Sequence, residues 1–145
     1  MANWDSGSTS ESAETTHATE TIMSQATAFL LAAGFGTRLR PLTHHRPKPL
    51  MPMCGVPMLD HALAHVRAHG HDNVLVNAHY LWRQVAAWAA DLEGVEIQVE
   101  LPDILGTGGG LKAALPRLAD KVVIVNADVL SDVDLTELAN AVEQG

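Results

Sequence analysis

Cysteine is nearly absent from this chain. Cys54 stands alone among 145 residues, which excludes an internal disulfide framework and points to a reducing compartment. Positive charge is also scarce, with 9 Lys and Arg against 17 Asp and Glu and a net charge of −8. A general role on DNA, RNA or an anionic membrane needs a basic face, and this balance argues against one. No apolar run reaches the roughly 18–20 residues of a transmembrane helix. The first 25 residues hold Asp5, Glu11, Glu14 and Glu20 but neither Lys nor Arg. A secretory or mitochondrial leader needs early positive charge, so the cytoplasm is the expected location. Residues 1–25 read as a disordered, acidic, Ser/Thr-rich tail too polar to bury a core, leaving 26–145 as one domain.

From residue 26 onward, strands and helices alternate. ATAFLLAA (26–33) is a continuous apolar run ending at glycine, as a buried parallel strand should. PMLDHALAHVRAHG (57–70) opens on Pro, closes on Gly and spaces Leu59, Leu63 and Val66 on one helical face. Strands are expected at 73–78, 95–101 and 121–128, with helices at 81–94, 111–119 and 134–145, the second of these helices shortened or kinked by Pro116. This alternation predicts an α/β fold, a Rossmann-like parallel sheet with helices on both faces. Ligands of such sheets bind beyond the carboxyl ends of the strands. There the sequence gathers its unusual residues: the 34–48 loop, Asn77 and His79, a GTGGG run at 106–110, and Asp128.

The segment LAAGFGTRLRPLTHHRPKPLMP (31–52) carries most of the chemistry. Gly34 and Gly36 let backbone approach a ligand, and Thr37, Arg38, Arg40 and Lys48 add a hydroxyl and three cations. Glycine-rich backbone with Arg and Lys after a strand suits a nucleotide polyphosphate. A dinucleotide fingerprint is excluded, because Leu39 occupies its third glycine position and no acid ends the second strand. A P-loop is excluded because no Gly-Lys-Ser/Thr follows.

LAAGFGTRLRPLT followed by RPKPLMPMCGVPMLDHAL resembles the signature of the sugar-phosphate nucleotidyltransferases, or nucleoside-diphosphate-sugar pyrophosphorylases. Gly34, Gly36, Thr37, Arg38, Pro41, Thr43, Pro47, Lys48, Leu50, Pro52, Pro57 and Met58 match its fixed positions, and the resemblance spans residues 27–145. It implies transfer of a nucleoside monophosphate from a triphosphate to a sugar 1-phosphate, with release of pyrophosphate. Arg38 and Lys48 would act on the phosphates, and Asp128 would ligate Mg²⁺. Leu31, Ala33, Gly34, Gly36 and Thr37, together with Gly106 and Thr107, would hold the nucleotide. Glu100 would add a base contact, and Asn77 belongs to an N-x-H element of guanylyl- and uridylyltransferase-like members. The resemblance leans toward GTP or UTP and toward mannose-, heptose- or N-acetylmuramate-type phosphates.

Two departures stand out. Ala127 replaces the glycine usual before the metal-binding Asp, and the chain carries only the N-terminal part of the nucleotide-diphospho-sugar transferase fold. Three readings stay open here: a shortened nucleotidyltransferase, a non-catalytic nucleotide-binding module, or one part of an assembly such as a homo-oligomer or a chain completed by another. His61, His65 and His69 recur on one helical face; without a cysteine among them, a solvated polar face is the expectation. Trp82 and Trp88 are expected to pack a helix onto the sheet.

Overall fold

A computed structural model describes residues 25–143, so the expected acidic tail lies outside the described residues apart from Gln25. The elements in chain order are β1 (Ala26–Leu31), the short pair β2 (Pro52–Met53) and β3 (Val56–Pro57), α1 (Met58–Ala68), β4 (Val74–Ala78), α2 (Trp82–Ala89), β5 (Val95–Val99), α3 (Gly106–Ala114), β6 (Leu118–Asn126) and α4 (Leu135–Glu143). Four of the strands form one parallel sheet in the order β5-β4-β1-β6, and β2 with β3 makes an antiparallel hairpin.

The alternation of side chains along β1 builds the two faces of this sheet. Ala28 and Leu30 point into one cluster with Leu59, Leu63 and Val66 of α1, Val85 of α2 and Leu135 at the start of α4. Phe29 points the other way, toward Leu75, Ala114 of α3 and Leu118. Helices therefore cover both faces, as expected. The winding reverses after β5, because the crossover through α3 lands on the opposite face and delivers β6 beside β1. That reversal opens a crevice at the carboxyl ends of β1 and β6. Register fixes its floor, with Leu31 lying level with Asn77 on one side and Asn126 on the other.

Expected boundaries shift in physically informative ways. The second helix starts at Trp82 because Leu81 takes a left-handed φ of 51°, which a continuing helix forbids. Pro116 ends α3, and a single 3₁₀ turn at Leu115–Arg117 leads into β6 three residues earlier than expected. The largest correction concerns GTGGG: the helix expected at 111–119 begins at Gly106 and takes in the whole run. Glycine's poor helix propensity argues against this, and tertiary contact overrides it.

Trp82 and Trp88 pack against the larger core, and Trp88 Nε1 donates to Asp60 Oδ1 at 2.6 Å, joining α2 to α1. The histidine face is not simply solvated. His61, His65 and His69 are each half-buried; a His61 ring nitrogen bonds Met53 O at 3.1 Å, and the His65 and His69 rings meet edge to face at 4.9 Å. The His61 bond ties α1 to the β2–β3 hairpin. Among the described residues no group of three or more His, Cys, Asp or Glu is arranged to hold a metal ion. No described helix is long and apolar enough to cross a membrane.

Candidate active site

The loop after β1 is held in shape by its own residues and by the segment after β4. Gly36 adopts a φ of +62°, and a Cβ there would press on Lys48 Cβ and Thr43 Cγ2, each at 3.0 Å. Glycine is therefore required twice at this position, for backbone sign and for space. Thr43 is buried and its hydroxyl donates to Gly36 O at 2.9 Å, closing the loop on itself. Tyr80 Oη donates to Thr43 O and Gln84 Nε2 to His45 O, both at 2.9 Å, anchoring the loop from outside. Phe35 adds ring contacts to His79 and Tyr80 at 5.2 and 5.8 Å between centres. A flexible glycine loop is thus converted into a preformed one, which lowers the ordering cost of binding.

This loop forms one wall of a cleft of about 220 Å³ at the carboxyl edge of the sheet. Leu31, Ala33, Gly34, Lys48, Asn77, Gly106, Thr107 and Asp128, eight of the residues singled out from sequence, line it. Lys48 Nζ donates to Asp128 Oδ2, and both side chains are about one-third exposed or less, at 27% and 33%. Gly36, Thr37 and Arg38 do not line the cleft; they form a short 3₁₀ turn and its cap beside it, where Arg38 is exposed with no side-chain partner among the described residues.

Glu100 departs from its expected role. It is 2% exposed and does not line the cleft, so a contact between its side chain and a base is not available in this arrangement. Both carboxyl oxygens accept bonds from the protein, Oε1 from Asn77 Nδ2 and Oε2 from the Leu105 backbone N–H, each at 2.8 Å. Asn77 is likewise committed, its Oδ1 accepting from the Ala32 N–H at 2.6 Å. The same pair requires glycine at position 110 of α3: a Cβ there would lie 2.6 Å from Glu100 Oε1 and 3.1 Å from Asn77 Nδ2. Ala127 is fully buried in the larger core, so the methyl group in place of the expected glycine is packed rather than strained.

Sequence reasoning missed Ala32, Pro49, Ile104 and Asn126, which also line the cleft. Pro49 and Asn126 flank Lys48 and Asp128 closely enough in sequence to have been inferred. Ile104 carries no chemical signal and owes its place to the turn into α3.

A family model described as the MobA-like NTP transferase domain matches residues 28–145. The mannose-1-phosphate guanylyltransferase of Mycobacterium tuberculosis is 38% identical over 118 residues, covering 79% of this chain and 33% of that protein. The N-acetylmuramate alpha-1-phosphate uridylyltransferase of Caulobacter vibrioides is 40% identical over 111 residues, covering 71% of this chain and 46% of that protein. In fold, the chain is similar to HddC from Yersinia pseudotuberculosis, solved as a complex with GMP-PN. That match has a TM-score of 0.68 at 24% identity and covers 81% of this chain and 54% of the other. The chain thus spans from a third to about half of the length of these relatives.

Proposed function

The chain belongs to the MobA-like NTP transferase family, and from that membership we propose that it supplies the triphosphate-binding side of a sugar-1-phosphate nucleotidyltransferase. One observation carries the reading: Gly34 and Lys48 of the loop after β1, Gly106 at the start of α3 and Asp128 after β6, three separate segments, line a single cleft where β1 and β6 part. Core packing does not require a cation, an acid and two glycines to meet there.

In the proposed reaction a sugar 1-phosphate oxygen attacks the α-phosphorus of the triphosphate, the bond to the bridging oxygen breaks, and pyrophosphate leaves with the electron pair. Two anionic substrates must be held together, so charge neutralisation and alignment govern the rate. Lys48 acts as a point charge on the phosphates, and Arg38, on the adjacent turn, offers a planar fork to the leaving pyrophosphate. Backbone at Ala33 and Gly34 and backbone at Gly106 and Thr107 supply two walls suited to a flat base. GTP and UTP are the proposed triphosphates, the guanylyl- and uridylyltransferase names of the relatives being the support.

The donor set fits a metal. Asp128 is a lone carboxylate at the cleft, and Mg²⁺ characteristically takes one or two carboxylates and completes its shell with phosphate oxygens and water. Asp128 would hold such an ion when it arrives with the triphosphate, and the ion would neutralise charge developing on the phosphates. The cytoplasm is the proposed compartment, supported by the lone cysteine.

The test is pyrophosphate release from the chain with Mg²⁺, a panel of five nucleoside triphosphates and a set of hexose 1-phosphates. Release that needs both a particular triphosphate and a particular sugar phosphate supports the proposal. Saturable triphosphate binding without release under any pairing would instead establish a nucleotide-binding module.

A further inference from the structure

Three hydrogen bonds run in series beneath the cleft. The Ala32 N–H donates to Asn77 Oδ1 at 2.6 Å, Asn77 Nδ2 donates to Glu100 Oε1 at 2.8 Å, and the Leu105 N–H donates to Glu100 Oε2 at 2.8 Å. The series begins on the wall made by residues 32–34 and ends at the residue that caps α3, immediately before Gly106 and Thr107 of the other wall. Glu100 and Asn77 are 2% and 3% exposed. Burying a carboxyl group is costly unless every oxygen is satisfied, so its presence here needs a reason beyond packing. Asn77 and Glu100 are further fixed through their own backbones, since Asn77 lies level with Leu31 and the Glu100 N–H donates to Ala78 O at 2.9 Å.

We propose that Glu100, working through Asn77, is a positioning residue for the nucleoside: it sets the separation between the Ala33–Gly34 wall and the Gly106–Thr107 wall without touching the ligand. This rests on the nucleotidyltransferase reading and sharpens it, replacing a base contact at Glu100 by control of the gap that admits the base. The polarity of the series is strict. Asn77 Oδ1 is committed to the Ala32 amide, so its Nδ2 must face Glu100. Two donors then converge on Glu100, and only a side chain with two acceptor oxygens satisfies both. Gly110 makes room for that carboxyl group, since any Cβ there would approach Oε1 to 2.6 Å.

The strictness supplies the test. Glu100→Gln leaves one acceptor for two donors, and Asn77→Asp sets two carboxyl groups against each other. The double variant N77D/E100Q restores all three bonds. The carboxylate introduced at position 77 accepts from the Ala32 amide and from the side-chain NH₂ introduced at position 100, whose amide oxygen accepts from the Leu105 N–H. Each of the four proteins is titrated calorimetrically with Mg-GTP, Mg-UTP and inorganic pyrophosphate, with circular dichroism to verify folding. Each single variant should bind the preferred triphosphate about tenfold more weakly, the cost of one buried bond left unmade. The double variant should return to within about twofold of the unaltered chain. Pyrophosphate has no base, so its affinity should be the same in all four.

Triphosphate affinity unchanged in E100Q would overturn the positioning role and leave the proposed function standing. So would parallel loss of pyrophosphate binding, or a double variant as weak as the two single losses combined. If the single variants fail to fold, the double variant decides: folded with near-normal affinity supports the role, and unfolded or weak contradicts it. An unaltered chain that binds neither triphosphate overturns the nucleotidyltransferase reading itself, and the inference with it.

Discussion

Lys48 and Asp128, 80 positions apart in sequence, form an ion pair across the cleft. Each is the partner the other gives up if phosphate and metal enter. The pair is partly exposed, and exposed pairs of this kind contribute only about 0–1 kcal/mol to stability. Lys48→Ala should therefore leave the urea midpoint nearly unchanged and weaken Mg-triphosphate binding about tenfold or more. A large loss of stability with binding intact would reverse the assignment.

Asp128→Asn keeps the shape and removes the charge. Triphosphate binding to the unaltered chain should strengthen on adding Mg²⁺ and weaken with a chelator, whereas binding to the variant should ignore both. Calorimetric titrations with and without chelator read this directly. Equal Mg²⁺ stimulation in the variant would remove Asp128 from the metal site.

Arg38 has no side-chain partner among the described residues and is exposed. Its removal should cost the fold no more than about 0.5 kcal/mol. Arg38→Ala should nevertheless weaken pyrophosphate binding, and Arg38→Lys should restore little of it, because a point charge does not reproduce a planar fork. Full recovery by Lys would show that only charge matters there.

The glycines of α3 divide by what surrounds them. A Cβ on Gly108 meets nothing within 4 Å, so Gly108→Ala should stabilise by about 0.5–1 kcal/mol through helix propensity. Gly110→Ala forces a methyl group against Glu100 and Asn77 and should destabilise by about 1–3 kcal/mol. Urea denaturation compares the two, and equal effects would contradict the packing described for Gly110.

Asp134 begins α4, its Oδ1 accepting from the Thr136 and Glu137 N–H groups at 2.8 and 3.0 Å. The Glu137 N–H is the main cause holding its carboxyl below the ordinary value of 3.8; slight desolvation opposes this, while Thr136 and nearby His69 assist. A lowered native value means the stabilisation is present above the unfolded value and is lost as pH falls through the native one. Helix α4 should therefore loosen below about pH 4. In Asp134→Asn, whose amide oxygen caps without titrating, that loosening should be much reduced. Hydrogen exchange across 135–143 at pH 3 and pH 6 distinguishes them.

Much of this architecture was legible in the residues. Apolar runs located β1 and β4, and Gly34 and Lys48, singled out for their residue type and spacing, both line the cleft. Chemistry that depends on residue type at fixed spacing survives in one dimension. What failed depends on contacts between distant segments. The start of α3 at Gly106, five residues before the expected 111, was not legible because glycine disfavours helix locally, and the close approach of Glu100 and Asn77 that requires glycine at 110 comes from segments distant in sequence. Glu100 read as a base contact only through the family resemblance, while its burial by Asn77 and Leu105 has no local signature. The histidines of α1 read as solvent-facing because the hairpin and the Asp134 segment that meet them lie elsewhere in the sequence.

Calorimetric titration of the chain with Mg²⁺ complexes of GTP, UTP, ATP and CTP beside inorganic tripolyphosphate tests whether the cleft is a nucleoside triphosphate site. The cleft between β1 and β6 predicts saturable one-site binding with a preference among bases, and weaker binding of tripolyphosphate than of the preferred nucleotide. No binding by any triphosphate, or equal affinity for all four nucleotides and tripolyphosphate, would contradict it.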